Sequence, residues 1–237
     1  YRLSAFKDKR HSITGTNFSV KVGKAHNHRT YLDIKRVIER SKLKQPVKDL
    51  SLTIFKTLAE AEAKVHNCRM DNVHFHEVGA VDSIVDIVGA AIGINELGID
   101  EVYSSPIPLG GGTVKTSHGM MPVPAPATVE ILKGVPVLVG TDLKSVPNSE
   151  ITTPTGAAII KTLAHSFGEI PQMNILKTGY GVGDKDFKEV PNLLRVIVGE
   201  ENPPIPPFVK GGIKGGFLEQ TRGQGFIMLE TNIDDMN

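Results

Sequence analysis

Segments with helical periodicity and segments with strand periodicity alternate along this chain, and that alternation restricts the fold more than any other feature. Apolar residues recur at helical spacing in 31–42, 50–67 and 82–97. Strands are predicted at 18–22, 73–78, 101–107, 136–139, 175–179 and 193–199. Such alternation is typical of an α/β or α+β fold, in which helices cover a layered sheet and long glycine- and proline-rich loops carry function.

The residue types at segment ends predict where helices begin and end. Ser51 is predicted to cap the second of the three helices, and Gly98 to end the third. Thr153, followed by Pro154, is predicted to cap a later helix whose apolar face continues to Phe167. A shorter helix is predicted at 126–132, where a proline again stands at the start.

The domain organisation follows from a change in composition after residue 200. Residues 1–200 are predicted to form the main domain, and the proline- and glycine-rich residues 201–224 a linker. Residues 225–237 are then expected to open a C-terminal domain, beginning with a strand at Phe226–Glu230.

Charge and cysteine content exclude several classes of protein. Lysine and arginine number 27 against 26 aspartates and glutamates, so no strong field gathers nucleic acid or an anionic membrane. The single cysteine, Cys68, rules out a disulfide within the chain and favours the reducing cytoplasm. No apolar run is long enough to span a membrane.

The first candidate metal site is the pair His74 and His76, followed by Glu77. Alternate residues of a strand face the same side, so both imidazoles could meet one nickel, zinc or copper ion. Glu77 could orient a histidine or act as a base if the chain turns there. The equally open alternative is a half-buried strand whose histidines are satisfied by hydrogen bonds.

Two aspartates follow on the next predicted helix, at positions that share one face. Asp82 stands at the helix start, where the helix dipole alone explains a carboxylate. Asp86 lies deeper in the helix, between Val85 and Ile87, and a carboxylate in such an apolar stretch requires a partner. A metal ion or the histidine pair would supply one.

Three further histidines are weaker candidates for metal ligands. His26 and His28 form a second pair in a polar, loop-like segment, which fits either a mobile metal-collecting site or two solvated side chains. His118 lies just before the proline-rich loop, where function is mildly favoured.

The segment Thr152–Gly156 is suited to an anion such as a phosphate. Free backbone N–H groups at a helix start attract anions, the hydroxyls of Thr152, Thr153 and Thr155 add donors, and Gly156 permits close approach. A plain helix cap explains the same residues equally well. The glycine-rich segments 110–112 and 179–183 are predicted loops, and neither matches a nucleotide-binding motif.

Several longer motifs together resemble the LarC family of nickel-insertion proteins. The most particular is Val73-His-Phe-His-Glu-Val-Gly-Ala-Val-Asp-Ser-Ile-Val-Asp-Ile-Val-Gly89. The other matching stretches are 58–66, 118–119, 122–128, 152–158, 179–183, 191–195 and 230–236. The resemblance runs from about Gly23 to the end of the chain, interrupted by the linker.

The resemblance implies a nickel chelatase, a lyase that inserts Ni(II) into a pyridinium bis-thiocarboxylate mononucleotide. The product is the nickel-pincer cofactor of lactate racemase-type enzymes, and the step uses CTP with Mg²⁺ or Mn²⁺. Glu77, Asp82 or Asp86 would take the proton from the ring carbon that bonds nickel, and Thr152–Gly156 would hold the mononucleotide phosphate. The expected partners are the apo-enzyme that receives the cofactor and further copies of the chain.

The sequence departs from the family pattern in three places. The N-terminal motif of the family is absent, and the longer histidine run of many members is reduced to His26–Arg29. The CTP-binding C-terminal domain is represented by its opening residues, among which Asp234 and Asp235 could meet a divalent ion. We therefore expect this chain to be a fragment of a longer protein.

Two other functions fit the same residues. A metal-dependent hydrolase of phosphate esters or nucleotides also uses clustered His, Asp and Glu, and it would turn over without a pincer precursor. A non-catalytic nickel chaperone would bind the metal through the histidines and leave organic ligands unchanged.

Overall fold

The computed structural model describes residues 1–23, 29–73, 75, 81–116, 119–139, 149–188, 190–201 and 225–231. The helices are α1 (Tyr31–Glu39), α2 (Gln45–Val65), α3 (Val81–Leu97), α4 (Pro126–Ile131) and α5 (Pro154–Leu163), with a 3-10 turn at Met70–Asn72. The strands are β1 (Arg2–Arg10), β2 (Ile13–Lys21), β3 (Glu101–Ser104), β4 (Ile107–Pro108), β5 (Thr113–Thr116), β6 (Gly119–Pro122), β7 (Val137–Leu138), β8 (Ala164–Phe167), β9 (Met173–Val182), β10 (Leu193–Glu201) and β11 (Gly225–Thr231). Among these residues, no helix combines the length and hydropathy needed to cross a bilayer.

A mixed seven-stranded sheet forms the larger layer, in the order β1-β2-β9-β10-β11-β3-β8. The pairs β1–β2, β9–β10 and β10–β11 are antiparallel, whereas β2–β9, β11–β3 and β3–β8 are parallel. Two small sheets stand apart from it, parallel β4–β7 and antiparallel β5–β6. The predicted mixed α/β class is confirmed.

Helix α2 is the centre of the hydrophobic core, because it contacts each of the other four helices. Its Ile54, Phe55 and Leu58 are fully shielded from solvent. Phe75, from the connection before α3, packs against this centre with its ring 6.4 Å from that of Phe55. The core therefore fixes the position of α3 and of the segment that leads into it.

The predicted helix ends are partly right. Thr153 caps α5 as predicted, and Gly98, with φ of 63°, follows the last residue of α3. Ser51 does not cap α2, which begins six residues earlier at Gln45. Ser51 is buried and donates its hydroxyl proton to the Val47 carbonyl (2.7 Å), and Pro46 in the first turn marks the true start instead.

Three predictions, of a helix, a strand and a loop, were wrong at their boundaries. Residues 164–167 leave α5 and pair with β3, so the apolar face assigned to a helix there belongs to an edge strand. The segment 101–107 is interrupted between β3 and β4. Residues 179–182 are strand rather than loop, because β10 pairs with them on one side and β2 on the other. Neighbouring strands supply hydrogen bonds that override the low strand preference of glycine.

Two other predictions, for residues 73–78 and for the chain after residue 200, can be compared with the structure only in part. Val73 and Phe75 are buried and lie in an extended connection outside any sheet, while the rest of 73–78 lies outside the described residues. The strand predicted at Phe226–Glu230 is present as β11 and pairs with β10 and β3 in the main sheet. The linker is not among the described residues, and the proposed division into domains stays a prediction.

Candidate functional site

Helix α3 presents one buried face and a second apolar face that is only partly buried. Ser83, Ile87 and Ala91, spaced four residues apart, are buried. The other face borders an open groove of about 680 Å³. Leu3 and Phe18 of the β1–β2 hairpin line the groove from one side, and residues of α1 complete it.

Asp86 lies in the wall of this groove, and no hydrogen bond or ion pair joins it to another described residue. Its side chain reaches the surface, yet the apolar neighbours exclude part of the water around it. This loss of hydration, and secondarily the negative charge of Asp82, raises the pKa of Asp86. The groove thus holds a carboxylate for which a cation would be a favourable partner.

Asp82 has a different environment from Asp86. It lies in the first turn of α3, is exposed, and accepts a hydrogen bond from the Ser83 backbone N–H (2.8 Å). The helix start therefore stabilises Asp82 locally, as the dipole argument predicts. The structure leaves Asp82 outside the groove wall and Asp86 within it.

A second, smaller recess of about 370 Å³ shares Phe18 with the groove. Thr16, Thr152 and Asn192 bring side-chain polar groups to it, and Gly181 and Gly183 bring bare backbone. Thr152 was predicted as a ligand-binding residue and Asp86 as a proton acceptor. The fold places one in each of two spaces that share a single aromatic side chain.

Hydrogen bonds donated by side chains stabilise the segments around the recess. Thr152 donates its hydroxyl proton to the Pro108 carbonyl (2.8 Å), and Lys185 donates to the Ser149 hydroxyl (3.0 Å). A side chain on Gly110 would overlap the Ser149 carbonyl oxygen, so this glycine allows β4 and the segment before α5 to meet. Gly110 thus has a packing role in the loop predicted at 110–112.

Two residues near the same recess, Arg10 and Asn17, were not identified from the sequence. Arg10 is 7% exposed and donates to the carbonyls of Asp184 and Lys185 (both 3.1 Å), beside Gly183. Asn17, only 2% exposed, donates to the Val182 carbonyl (3.2 Å) and the Asp184 carboxylate. Asn17 lies next to the predicted strand at 18–22, and its burial became visible only in the structure.

At the start of α5, where an anion site was predicted, the helix cap already uses one of the backbone N–H groups. The Thr153 hydroxyl accepts the Gly156 N–H (3.1 Å), which is the plain-cap arrangement. Thr155 and Gly156 remain partly exposed, and a side chain added to Gly156 would meet only the Thr153 hydroxyl within 4 Å. Anion binding by these residues stays a prediction.

The predicted metal ligands His26, His28, His74, His76 and His118, together with Glu77, lie outside the described residues. Two described residues that adjoin these histidines in the sequence, Arg29 and Phe75, contact each other. The Phe75 N–H donates to the Arg29 carbonyl at 3.3 Å.

Arg29 directly follows His28, and Phe75 stands between His74 and His76. Arg29 and Phe75, far apart in sequence, are therefore neighbours in the fold.

Within the described part of the chain, no three His, Cys, Asp or Glu side chains gather into a metal site. The residues considered for a divalent ion with CTP, Asp234 and Asp235, lie outside that part. Binding of CTP and its metal stays a prediction.

Comparison with known proteins identifies relatives over the whole chain. The family model described as "Nickel insertion protein" matches residues 1–237. Proteins named "Putative nickel insertion protein" from Geotalea daltonii, Citrifermentans bemidjiense and Dictyoglomus thermophilum are 47%, 48% and 45% identical to it. Each alignment covers 100% of this chain and 55%, 56% and 56% of the respective relative.

The chain thus spans little more than half the length of these relatives. No solved structure matches it. The match of the family model to every residue, together with identities above 40% to these relatives, establishes that the chain belongs to the nickel insertion protein family.

Proposed function

We propose that this chain takes part in inserting nickel into a pyridinium bis-thiocarboxylate mononucleotide, as the nickel chelatase that its motifs resemble. Nickel is the substrate metal, and CTP with Mg²⁺ or Mn²⁺ would act through residues of the longer protein. The observation that supports the proposal is the Phe75–Arg29 hydrogen bond, since Arg29 follows His28 in the sequence and Phe75 stands between His74 and His76.

Histidine nitrogen suits Ni(II), and two pairs carried on neighbouring backbone would provide enough donors for one ion. The mononucleotide would lie in the groove and the recess that share Phe18. Thiocarboxylate sulfur is a softer donor than imidazole, so transfer of nickel from protein to ligand would be downhill.

The chemical step requires a base near the ring. Formation of the nickel–carbon bond uses the electron pair of the ring C–H bond, and the proton passes to a carboxylate. Asp86, in the groove wall, is better placed among the described residues than Asp82, which lies outside it. Glu77 stays a candidate on sequence grounds.

Calorimetric titration with Ni(II) tests the metal site. We expect the wild-type chain to bind nickel and His74→Ala/His76→Ala to lose at least about tenfold in affinity, equivalent to roughly 1.4 kcal/mol. If the two pairs share one ion, His26→Ala/His28→Ala weakens the same binding event. His165→Ala, on the edge strand β8, is the matched control and should bind like wild type.

Insertion itself is tested with Ni(II), the mononucleotide, CTP and Mn²⁺, with the nickel-bound product detected by mass spectrometry. Product that forms with the full-length protein and not with its His74→Ala/His76→Ala variant supports the proposal. Nickel binding without any change in the mononucleotide would identify a chaperone, and hydrolysis of a phosphate ester without a pincer precursor would identify a hydrolase.

A further inference from the structure

The two outer strands of the main sheet differ in the free edge that each presents. Strand β8 is four residues long, and its pairing with β3 is irregular. Strand β1 is nine residues long and pairs with β2 in an unbroken register. Among the described strands, β2 is its only neighbour. Proteins usually protect edges with short strands, bulges or proline, because a long regular edge is a template for another strand.

The backbone of β1 directs alternate residues towards β2 and towards the free edge. The hairpin has a two-residue turn after its closing pair Arg10–Ile13, and the closing pair of such a hairpin is hydrogen-bonded. Even-numbered residues of β1 therefore bond β2, and odd-numbered residues point their N–H and C=O groups outward. Lys9 follows this parity, because its N–H donates to the Asp8 carboxylate (2.8 Å) and its carbonyl accepts from the Arg10 guanidinium (2.7 Å).

These side-chain contacts cap the edge at Lys9 and leave the stretch before it open. No described residue bonds the outward backbone groups of Leu3, Ala5 and Lys7. The side chains of this stretch also expose apolar surface, since Leu3 is 45% and Phe6 50% exposed. The open groups are centred on Ala5, so an identical stretch can pair with them antiparallel about a two-fold axis.

A pairing centred on Ala5 is complementary in hydrogen bonding and in charge. The two Ala5 residues exchange both N–H···O bonds, as do Leu3 and the partner's Lys7. Arg2 then stands opposite the partner's Asp8, whose side chain is 38% exposed. The two Lys7 residues lie about 13 Å apart along the strands, beyond the range of strong repulsion in physiological salt.

The neighbouring registers fit less well. A shift of two residues in one direction sets Arg2 against the partner's Arg10, a pair of like charges. The opposite shift sets Arg2 against the partner's Phe6 and leaves Asp8 beyond the paired stretch. Charge therefore selects the register centred on Ala5.

We propose that β1 pairs antiparallel with β1 of a second copy of this chain, about a two-fold axis at Ala5. The main sheet then continues across the axis into the partner's sheet. Leu3, which lines the groove beside α3, lies opposite the partner's Lys7 on the same face of the sheet. The partner thereby brings an ammonium group to the Leu3 side of the groove that contains Asp86. This association does not depend on the proposed nickel chemistry.

Sedimentation velocity over a range of concentrations tests the pairing in the 237-residue chain. We expect a monomer–dimer equilibrium. Ala5→Pro removes the N–H at the axis and leaves the bonds between β1 and β2 in place, so the variant should fold and remain monomeric. Ala5→Ser keeps the N–H and should still form the dimer. Circular dichroism checks that both variants are folded.

Reversal of one charge tests the register. Arg2→Glu places a carboxylate opposite the partner's Asp8 at both ends of the paired stretch, so association should weaken about tenfold. Lys177→Glu makes the same change at an exposed position of β9, two strands inside the edge, and should leave association unchanged. Tighter association of Arg2→Glu would indicate the register that opposes Arg2 and Arg10, and it would overturn the one proposed.

A disulfide cross-link tests the geometry directly. Residues of a hydrogen-bonded antiparallel pair have Cα atoms about 5.5 Å apart, which a disulfide can bridge. Because Cys68 is exposed, Cys68→Ser serves as the background. Ala5→Cys should link two copies on oxidation. Lys9→Cys should not, since the two residues at position 9 would lie about 26 Å apart along the strands.

A chain that stays monomeric at every concentration, a dimer that survives Ala5→Pro, or a link at position 9 in place of position 5 would each overturn the proposal. Open-ended aggregation would also overturn it, because a two-fold pairing closes at two copies. The same holds if full-length Ala5→Cys/Cys68→Ser links no more than full-length Cys68→Ser, since another segment of that protein would then cover the edge.

Discussion

The groove beside α3 and the recess beside Thr152 share Phe18 but are built on different principles. The groove wall is a regular helix whose opposite face is anchored in the core by Ile87, which is fully buried. The recess is framed largely by strand ends and loops, held by hydrogen bonds from Arg10, Thr152 and Lys185. Core packing determines the shape of the groove, whereas individual hydrogen bonds determine the shape of the recess. Different substitutions should therefore distort the two surfaces.

The largest effect is expected from Ile87→Ala, which removes the anchor of the groove wall. Truncation of a fully buried isoleucine costs about 2–5 kcal/mol, measured as the free energy of unfolding in denaturant. Ile92→Ala, on the groove side and 37% exposed, is the matched control and should cost about 1 kcal/mol or less. Equal losses in the two variants would mean that α3 has no distinct core face.

Gly110→Ala is expected to disturb the recess and spare the groove. The new methyl group would overlap the Ser149 carbonyl, and forced backbone shifts of this kind cost about 1–3 kcal/mol. Gly111→Ala meets nothing within 4 Å and should leave the unfolding free energy nearly unchanged. If Gly110→Ala is as stable as Gly111→Ala, the segment before α5 does not lie against Gly110.

Removing the cap of α5 has a smaller expected effect. Thr153→Ala leaves the Gly156 N–H without its acceptor, which typically costs about 1 kcal/mol of unfolding free energy. Thr155→Ala keeps that hydrogen bond and should cost less. The cap assignment would be contradicted by a larger loss at Thr155 than at Thr153.

The smallest effect concerns the charge of Asp86. Because its pKa is raised in the folded state, the ionised carboxylate is disfavoured by folding, and stability falls as pH rises from the ordinary value of 3.8 through the raised one. Asp86→Asn should therefore be more stable than wild type at neutral pH, by less than about 1 kcal/mol since the group is exposed. Unfolding measured against pH should show this gap closing below pH 3.8; a gap that widens in acid would contradict the sign.

The accuracy of the sequence predictions follows the range of the interactions involved. Helix α3, its end at Gly98 and the Thr153 cap depend on residues within one or two turns, and all three were predicted correctly. The strand through Gly179–Val182 and the strand Ala164–Phe167 depend on partners elsewhere in the chain. Local preference pointed to a loop and a helix there, and pairing overrode it.

For the candidate site, the sequence by itself determined which polar and charged residue types are present and how they are spaced. It supplied a carboxylate within an apolar helix, a threonine-rich helix start and two histidine pairs, because these depend on residue type and local spacing.

Only the tertiary structure decided which of them are neighbours. Sheet pairing placed Phe18 between Asp86 and Thr152, and core packing of Phe75 brought its backbone to Arg29. Contacts between residues so distant in sequence arise from burial and strand pairing, which periodicity along a single chain does not encode.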